Sequence, residues 1–255
     1  MPIIYKPRGR AGEYSEYAAN IFSGCDHGCT YCYAPSCTFK SRLEFKKSKP
    51  RDLFLYNLQR EAPAYRGKEC FLCFTCDPYQ NVEQETGITR NVIKVLLSSD
   101  VGVNILTKGG NRSLRDFDLL AEAAACGNAK YGATLTFTNE NQSKEYEPFA
   151  ALPSERIECL ERAHSLGIHT WVSFEPVIEP SQSLNLIELT QKFVDMYKIG
   201  KWNHSREASK IDWVEYAMTA INRLKELGKE YYIKKDLEVI LEKGGVLGEF
   251  MEKND

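Results

Sequence analysis

Short apolar runs alternate with amphipathic segments about six times along this chain, and no other feature limits its fold as much. The runs 17–22, 70–75, 102–107, 131–137, 169–174 and 193–199 read as strands. Between them, 52–61, 90–98, 114–125, 154–166 and 184–189 read as helices. The helix over 154–166 is the clearest. Pro153 and Ser154 open it, Ile157, Leu160, Ala163 and His164 share one face, and Gly167 ends it. A long helix over 213–227 follows, then a further short strand and helix from 229 onward. Such alternation predicts a parallel βα array, either doubly wound or a whole or partial barrel. In each arrangement chemistry belongs at the carboxyl ends of the strands. Those ends carry Ser23-Gly24-Cys25, Cys76-Asp77, Thr107-Lys108, Thr138-Asn139, Glu175 and Asn203-His204.

A chain of 255 residues, 43% hydrophobic and 27% charged, is long enough to bury one sizeable core. Its net charge of −2 argues against a broad polyanion-binding surface, because nonspecific nucleic-acid affinity comes from phosphate neutralisation. No apolar run reaches the ~18 residues of a membrane span, and the polar N-terminus predicts no secretory signal. Nine cysteines cannot all pair, which points to a reduced, cytoplasmic chain whose clustered thiols bind metal. The basic run Lys46-Lys47-Ser48-Lys49-Pro50-Arg51 reads as a solvated linker.

The stretch Cys25-Asp26-His27-Gly28-Cys29-Thr30-Tyr31-Cys32 sets three cysteines at C-x3-C-x2-C in the loop after the first strand. From one loop they can reach one metal centre, and Gly24 and Gly28 let the backbone curl around it. A closed structural zinc site takes four ligands, whereas three suit an iron–sulfur cubane with one open iron. Cys37 as a fourth zinc ligand stands as an alternative, as do three chemically idle cysteines. Cys70, Cys73 and Cys76 do not converge on a strand, where Cys73 faces away from the other two. Core packing is expected of them, with Cys76 at the strand end.

The cysteine loop resembles the cluster-binding motif of the radical S-adenosylmethionine superfamily, with Tyr31 matching the aromatic residue before the third cysteine. Within it, the spore photoproduct lyase-like branch is resembled over about 17–205. The matching stretches are Thr75-Cys76-Asp77-Pro78-Tyr79-Gln80 with Glu83, Thr107-Lys108 with Arg115-Asp116, and Glu147-Pro148 through Arg156 to Gly167. Phe174-Glu175-Pro176 and Gly200-Lys201-Trp202-Asn203-His204 complete the set. The resemblance implies an α/β fold, a partial (β/α)6 TIM-like barrel over about 17–205. A short helical extension over about 206–255 would complete a single domain. It further implies a [4Fe-4S] cluster on Cys25, Cys29 and Cys32, whose open iron chelates S-adenosylmethionine. One electron, from a donor such as flavodoxin or ferredoxin, would cleave the sulfonium and yield a 5′-deoxyadenosyl radical that abstracts a substrate hydrogen. Cofactor contacts are expected from Tyr31, Glu83, Lys108, Thr136 and Thr138. Substrate contacts are expected from Tyr33, Asp77, Tyr79, Glu175, Trp202, Asn203 and His204.

Phe74 stands where that branch's match places a cysteine hydrogen donor, which, with the net charge, argues against DNA photoproduct repair and a nucleic-acid partner. Length and motif wording are most similar to the queuine lyases. That resemblance implies radical scission of the carbon–nitrogen link of queuine, releasing 7-aminomethyl-7-deazaguanine for queuosine salvage in tRNA modification. A 7-deazaguanine base presents a donor-rich edge to a carboxylate and a flat face to an aromatic wall, and Glu175 is the leading carboxylate. Two other classes remain open: a radical enzyme of the same branch with another small molecule or nucleic acid as substrate, and a nonenzymatic zinc or iron–sulfur protein. Ordinary roles stand beside the chemical ones. Lys108 suits a snorkelling rim lysine, Asp77 and Glu83 a solvated turn, and Asn203 and His204 loop hydrogen bonds. His27 is expected to face solvent and Trp171 to pack.

Overall fold

The computed structural model describes residues 2–245. Seven strands pair in chain order and every pair is parallel. They are β1 (Tyr17–Ala19), β2 (Glu69–Leu72), β3 (Gly102–Thr107), β4 (Ala129–Thr134), β5 (His169–Phe174), β6 (Met196–Ile199) and β7 (Glu230–Ile233). Helices α1 (Ala34–Cys37), α2 (Arg42–Lys46) and α3 (Phe54–Glu61) connect β1 to β2. Then α4 (Asn81–Thr86) and α5 (Ile88–Ser98) lead to β3, and α6 (Phe117–Ala124) to β4. The chain continues through α7 (Glu140–Tyr146) and α8 (Pro153–Ser165) to β5, and α9 (Pro180–Thr190) to β6. Finally α10 (Trp213–Glu226) leads to β7, and α11 (Lys235–Lys243) follows it. This is the expected TIM-like partial barrel, and the six expected units are all present.

Alternation along the strands builds two cores. On the helix side, Val103, Ile105, Tyr131, Val172, Tyr197 and Ile199 pack against apolar helix faces. On the inner side, Ala18, Phe71 and Trp171 form a separate cluster with Tyr5, Tyr14, Phe74, Leu106 and Met196. Gly132 on β4 makes room for the Trp171 indole, since a Cβ there would lie 2.4 Å from that ring. The indole nitrogen donates to Asn104 at 3.0 Å, which satisfies its one polar group inside the barrel. Helix starts follow local chemistry: Asp212 accepts from the Val214 and Glu215 amides at 3.0 and 2.9 Å, a cap worth ~1 kcal/mol.

Three expectations are corrected. The segment after residue 205 is more than helical, because β7 adds a seventh parallel strand beside β6. Residues 246–255 of that expected extension lie outside the described residues. The basic run 46–51 is a strap rather than a linker. It lies against the cysteine loop, with Ser23 donating to the Lys49 carbonyl and Arg51 to that of Ile21, both at 2.9 Å. Strands β1, β2 and β4 also end sooner than their apolar runs, so Ile21, Phe22, Leu135 and Phe137 are buried from loops. Apolar character reports burial, and burial continues past the last ladder bond. Among the described residues no helix is long and apolar enough to cross a membrane.

Candidate active site at the barrel mouth

The loop leaving β1 carries Cys25, Cys29 and Cys32 as free thiols, Cys29 buried and the other two half-buried. Gly24 has φ +137°, and a Cβ there would stand 2.3 Å from the Phe45 carbonyl oxygen, so the turn admits only glycine. The Cys25 amide donates to that carbonyl at 3.0 Å. Arg42, at the start of α2, donates to the Cys29 and Cys32 carbonyls at 3.2 and 3.3 Å. Asp26 accepts from the Asn81 and Val82 amides, each at 2.9 Å, pinning the loop to the first turn of α4. Burial pushes the Cys25 and Cys32 thiols up and that of Cys29 to about 12. The positive charge of Lys108 opposes the rise at Cys29 and Cys32.

Among the described residues no three His, Cys, Asp or Glu side chains gather tightly enough to hold one metal ion. The four-cysteine zinc alternative therefore lacks its geometry, and Cys37 is exposed on α1. Ligands of a cubane bind different irons, so they stand farther apart than ligands of a single ion. Three unpaired thiols on one pinned loop, beside the Lys108 ammonium, fit an anionic cluster. Cys70 and Cys73 are buried in the outer core with Cys76 packed against it, and the Cys73 thiol accepts from the Ile21 amide at 3.5 Å.

Tyr31 ties this loop to the far side of the mouth. Its hydroxyl donates to Glu147, which also accepts from Thr136 at 3.2 Å and from Arg156 at 2.5 Å. Arg156 also donates to the Thr134 and Ala151 carbonyls at 3.0 and 2.9 Å. Both charged side chains are buried, at 0% and 1% exposure. Burial alone would raise the Glu147 carboxyl, but attraction to Arg156 and Lys108 outweighs it and holds the group below its ordinary value. Lys108 itself lies with its ammonium 5.7 Å from the centre of the Tyr31 ring.

Several expected ligand contacts belong to the scaffold instead. Asp77 accepts from Tyr79 N, Thr107 Oγ1 and Lys108 N at 2.8, 2.6 and 2.7 Å, which locks the ends of β2 and β3 together. Tyr79 is fully buried and donates to Asp116 at 3.0 Å, on the helix side of the sheet. Glu83 is 1% exposed, paired with Arg115, and accepts from the Thr89 amide at 3.1 Å. A carboxylate this deeply buried needs such partners. The amide and hydroxyl of Thr138 meet Gln182 Oε1 at 2.8 and 3.2 Å. His27, expected in solvent, is 2% exposed with Nδ1 3.6 Å from Asp77 and Nε2 3.2 Å from Arg112. Burial drives its pKa down to about 4 against the pull of Asp77, so the ring is neutral at pH 7.

Opposite the cysteine loop, Glu175 follows β5 and stays 24% exposed. Asn203 donates to its Oε1 at 3.1 Å, while Lys234 and Tyr14 (2.9 Å) both donate to Oε2. A carboxylate has about four acceptor positions, so one remains, on Oε1. Tyr33 is half-exposed, with its ring 5.9 Å from that of His204. A cleft of about 480 Å³ runs between the two sides, lined among others by Tyr31, Cys32, Tyr33, Trp202, Asn203 and His204. Tyr33, Glu175, Trp202, Asn203 and His204 thus meet at one mouth with the cysteine loop.

Sequence reasoning missed Tyr14, Lys198 and Lys234. Lys198, 7% exposed, lies 4.6 and 5.0 Å from the Tyr14 and Trp171 ring centres. Burial, then repulsion from Lys234, lowers its pKa to about 8. Lys234 follows β7, so the strand-end rule would have found it had the seventh strand been counted.

Seven parallel strands, a polar mouth at their carboxyl ends and a pinned three-cysteine loop define a parallel-barrel protein built around that loop. The chain belongs to the radical SAM superfamily, whose family model matches residues 19–194. That family uses a [4Fe-4S] cluster and S-adenosylmethionine. An uncharacterized protein of Mycobacterium tuberculosis is 27% identical over 172 residues, 64% of this chain and 49% of that one. The chain therefore spans about half the length of this relative. An uncharacterized Methanocaldococcus jannaschii protein is 27% identical over 191 residues, 72% of this chain and 69% of the other. Among solved structures, spore photoproduct lyase complexed with a dinucleoside spore photoproduct aligns with TM-score 0.67 at 12% identity, over 90% of this chain and 79% of that one. Streptococcus suis SuiB bound to S-adenosylmethionine aligns with TM-score 0.63 at 10% identity, over 85% and 49%. At such identities the likeness is one of fold.

Proposed function

We propose that this chain is a radical S-adenosylmethionine lyase that cleaves the carbon–nitrogen link of queuine and releases 7-aminomethyl-7-deazaguanine. The observation that carries the reading is the cleft shared by Cys32 of the cysteine loop and by Asn203, whose side chain donates to Glu175 behind it. Cys25, Cys29 and Cys32 would hold the cluster, and the Lys108 ammonium would pair with a carboxylate of the bound cofactor. The cluster and S-adenosylmethionine together supply a carbon-centred radical that abstracts one substrate hydrogen. The protein's part is to decide which hydrogen is near. Tyr31, held by Glu147, fixes the wall on the cluster side. The free Oε1 position of Glu175 accepts from the donor edge of the deazaguanine, with Tyr33 and Trp202 as aromatic walls. Only one such bond fits beside Asn203, so recognition is monodentate. The cleft volume lies in the range of small-molecule sites. Phe74, stacked on Phe71 at 4.3 Å, fills the place of a cysteine hydrogen donor, which supports a chemistry other than photoproduct repair.

The test is anaerobic incubation with S-adenosylmethionine, reductant and queuine, followed by mass spectrometry. Equal amounts of 5′-deoxyadenosine and 7-aminomethyl-7-deazaguanine are expected. 5′-Deoxyadenosine formed at the same rate with and without queuine would refute the substrate.

A further inference from the structure

The family model covers residues 19–194, and Glu175 lies within that span. Tyr14, Asn203 and Lys234, which donate to Glu175, all lie outside it. The two flanks are also fastened to each other. Arg10 pairs with Asp236 at 2.6 Å, and Glu13 Oε2 accepts from the Lys235 amide and the Tyr232 hydroxyl at 3.0 and 3.3 Å. The segment before β1 is thereby tied to the end of β7, at the opposite edge of the sheet, and carries Tyr14 to Glu175.

Around Glu175 the charges balance. Lys234, 4% exposed, ion-pairs with Oε2 and donates to the Tyr14 hydroxyl at 2.9 Å, with its ammonium 4.4 Å from the Tyr14 ring centre. Lys198 lies 4.6 Å from the centre of that same ring and donates to the Glu13 carbonyl at 3.3 Å. The ammonium groups of Lys198 and Lys234 thus stand with the carboxylates of Glu13 and Glu175, while Arg10 and Asp236 cancel each other. A carboxylate already matched by a buried ammonium gains little from a second cation, which would meet the repulsion of Lys234 and have to shed its water. A neutral N–H or O–H meets neither cost and still fills the position that remains on Oε1. We propose that Lys234 is a positioning residue that neutralises Glu175 and so fixes the class of group recognised at Oε1: a neutral N–H or O–H donor, such as an amide or lactam edge, and not an amine or a guanidinium. The inference rests on Glu175 being the substrate carboxylate and does not require that the substrate be queuine. The specificity of the mouth is then set by segments that the family core does not contain.

The experiment uses the whole reconstituted chain and a matched pair of probes, benzamide and benzamidine, which share size and shape and differ in charge. Calorimetric titration measures the affinity of each. In wild type, benzamidine should bind no tighter than benzamide. In Lys234→Met, where Glu175 is left unmatched, benzamidine should gain about tenfold or more over benzamide, the strength of a charge-assisted contact. Lys234→Arg should restore the wild-type ratio. Lys234→Met/Glu175→Gln should abolish the gain, which assigns it to Glu175 rather than to a loosened fold. A wild-type protein that prefers benzamidine by about tenfold would overturn the proposal with no variant needed. So would a Lys234→Met protein in which benzamidine gains nothing. Queuine turnover does not enter these readouts: a protein that shows the expected ratios but leaves queuine intact refutes the lyase reading and leaves the role of Lys234 standing.

Discussion

Arg156→Met is the most revealing single change, because Arg156 is ion-paired with a fully buried carboxylate that also holds Tyr31. The substitution keeps the side-chain volume and removes the charge. Glu147 is then left ionised at 0% exposure, and the Thr134 and Ala151 carbonyls each lose a donor. Breaking a buried ion pair from one side costs ~3–5 kcal/mol. For a chain of this length, 1 kcal/mol moves the melting temperature by ~2–4 °C, so a 4 kcal/mol loss should lower it by about 8–16 °C. The double variant Glu147→Gln/Arg156→Met removes both charges and should recover most of that loss. The pH dependence has a defined sign. In wild type the depressed Glu147 group contributes stability that is present above its unfolded pKa of about 4.3 and lost as pH falls through the folded value. In Arg156→Met burial is no longer opposed by Arg156, so the gap to wild type should narrow in acid. Anaerobic differential scanning calorimetry at pH 7 and pH 5 measures both effects. A fall below 3 °C in the single variant, or a double variant no more stable than it, would refute the view that this pair braces the mouth.

The cysteine set is tested by iron analysis: Cys25, Cys29 or Cys32→Ala should lose the cluster of about four iron per chain, and Cys37→Ala should keep it. Lys108→Ala should weaken S-adenosylmethionine binding in a direct titration, because a charge-assisted contact is lost. Glu175→Gln should lower queuine affinity by roughly tenfold to a hundredfold, the ~1.5–3 kcal/mol of a hydrogen bond to a charged group, with iron content unchanged. Lys198 has a folded pKa of about 8, below its unfolded value of about 10.4, so wild type should gain stability relative to Lys198→Met as pH rises from 8 to 10. Equal pH slopes in denaturation of the two proteins would remove that reading.

Local pattern carried the βα count, the strand-end rule and the cysteine loop. These depend on residues close in sequence: periodicity sorts strand from helix, and the three thiols lie within eight positions. The same rule places Glu175, Asn203 and His204 at the mouth from spacing alone. What it could not do was tell a carboxylate facing a ligand from one facing a buried partner. Asp77, Glu83 and Glu175 all follow or flank strand ends, yet Asp77 clamps β2 to β3 and Glu83 answers Arg115, 32 residues away. Of the three, Glu175 is the most exposed, at 24%.

Sequence by itself determined the parallel architecture and the family motif, because both are written in short-range spacing. Tertiary structure alone decided which charges are spent. Tyr14 reaches Glu175 across 161 residues and Lys234 across 220, while Glu147 collects Tyr31 from 116 residues away. Burying an ionised group is costly without a partner, so the fold brings partners from wherever the barrel curvature places them. That choice depends on how the sheet from β1 to β7 brings distant residues together, and no local window of sequence contains it.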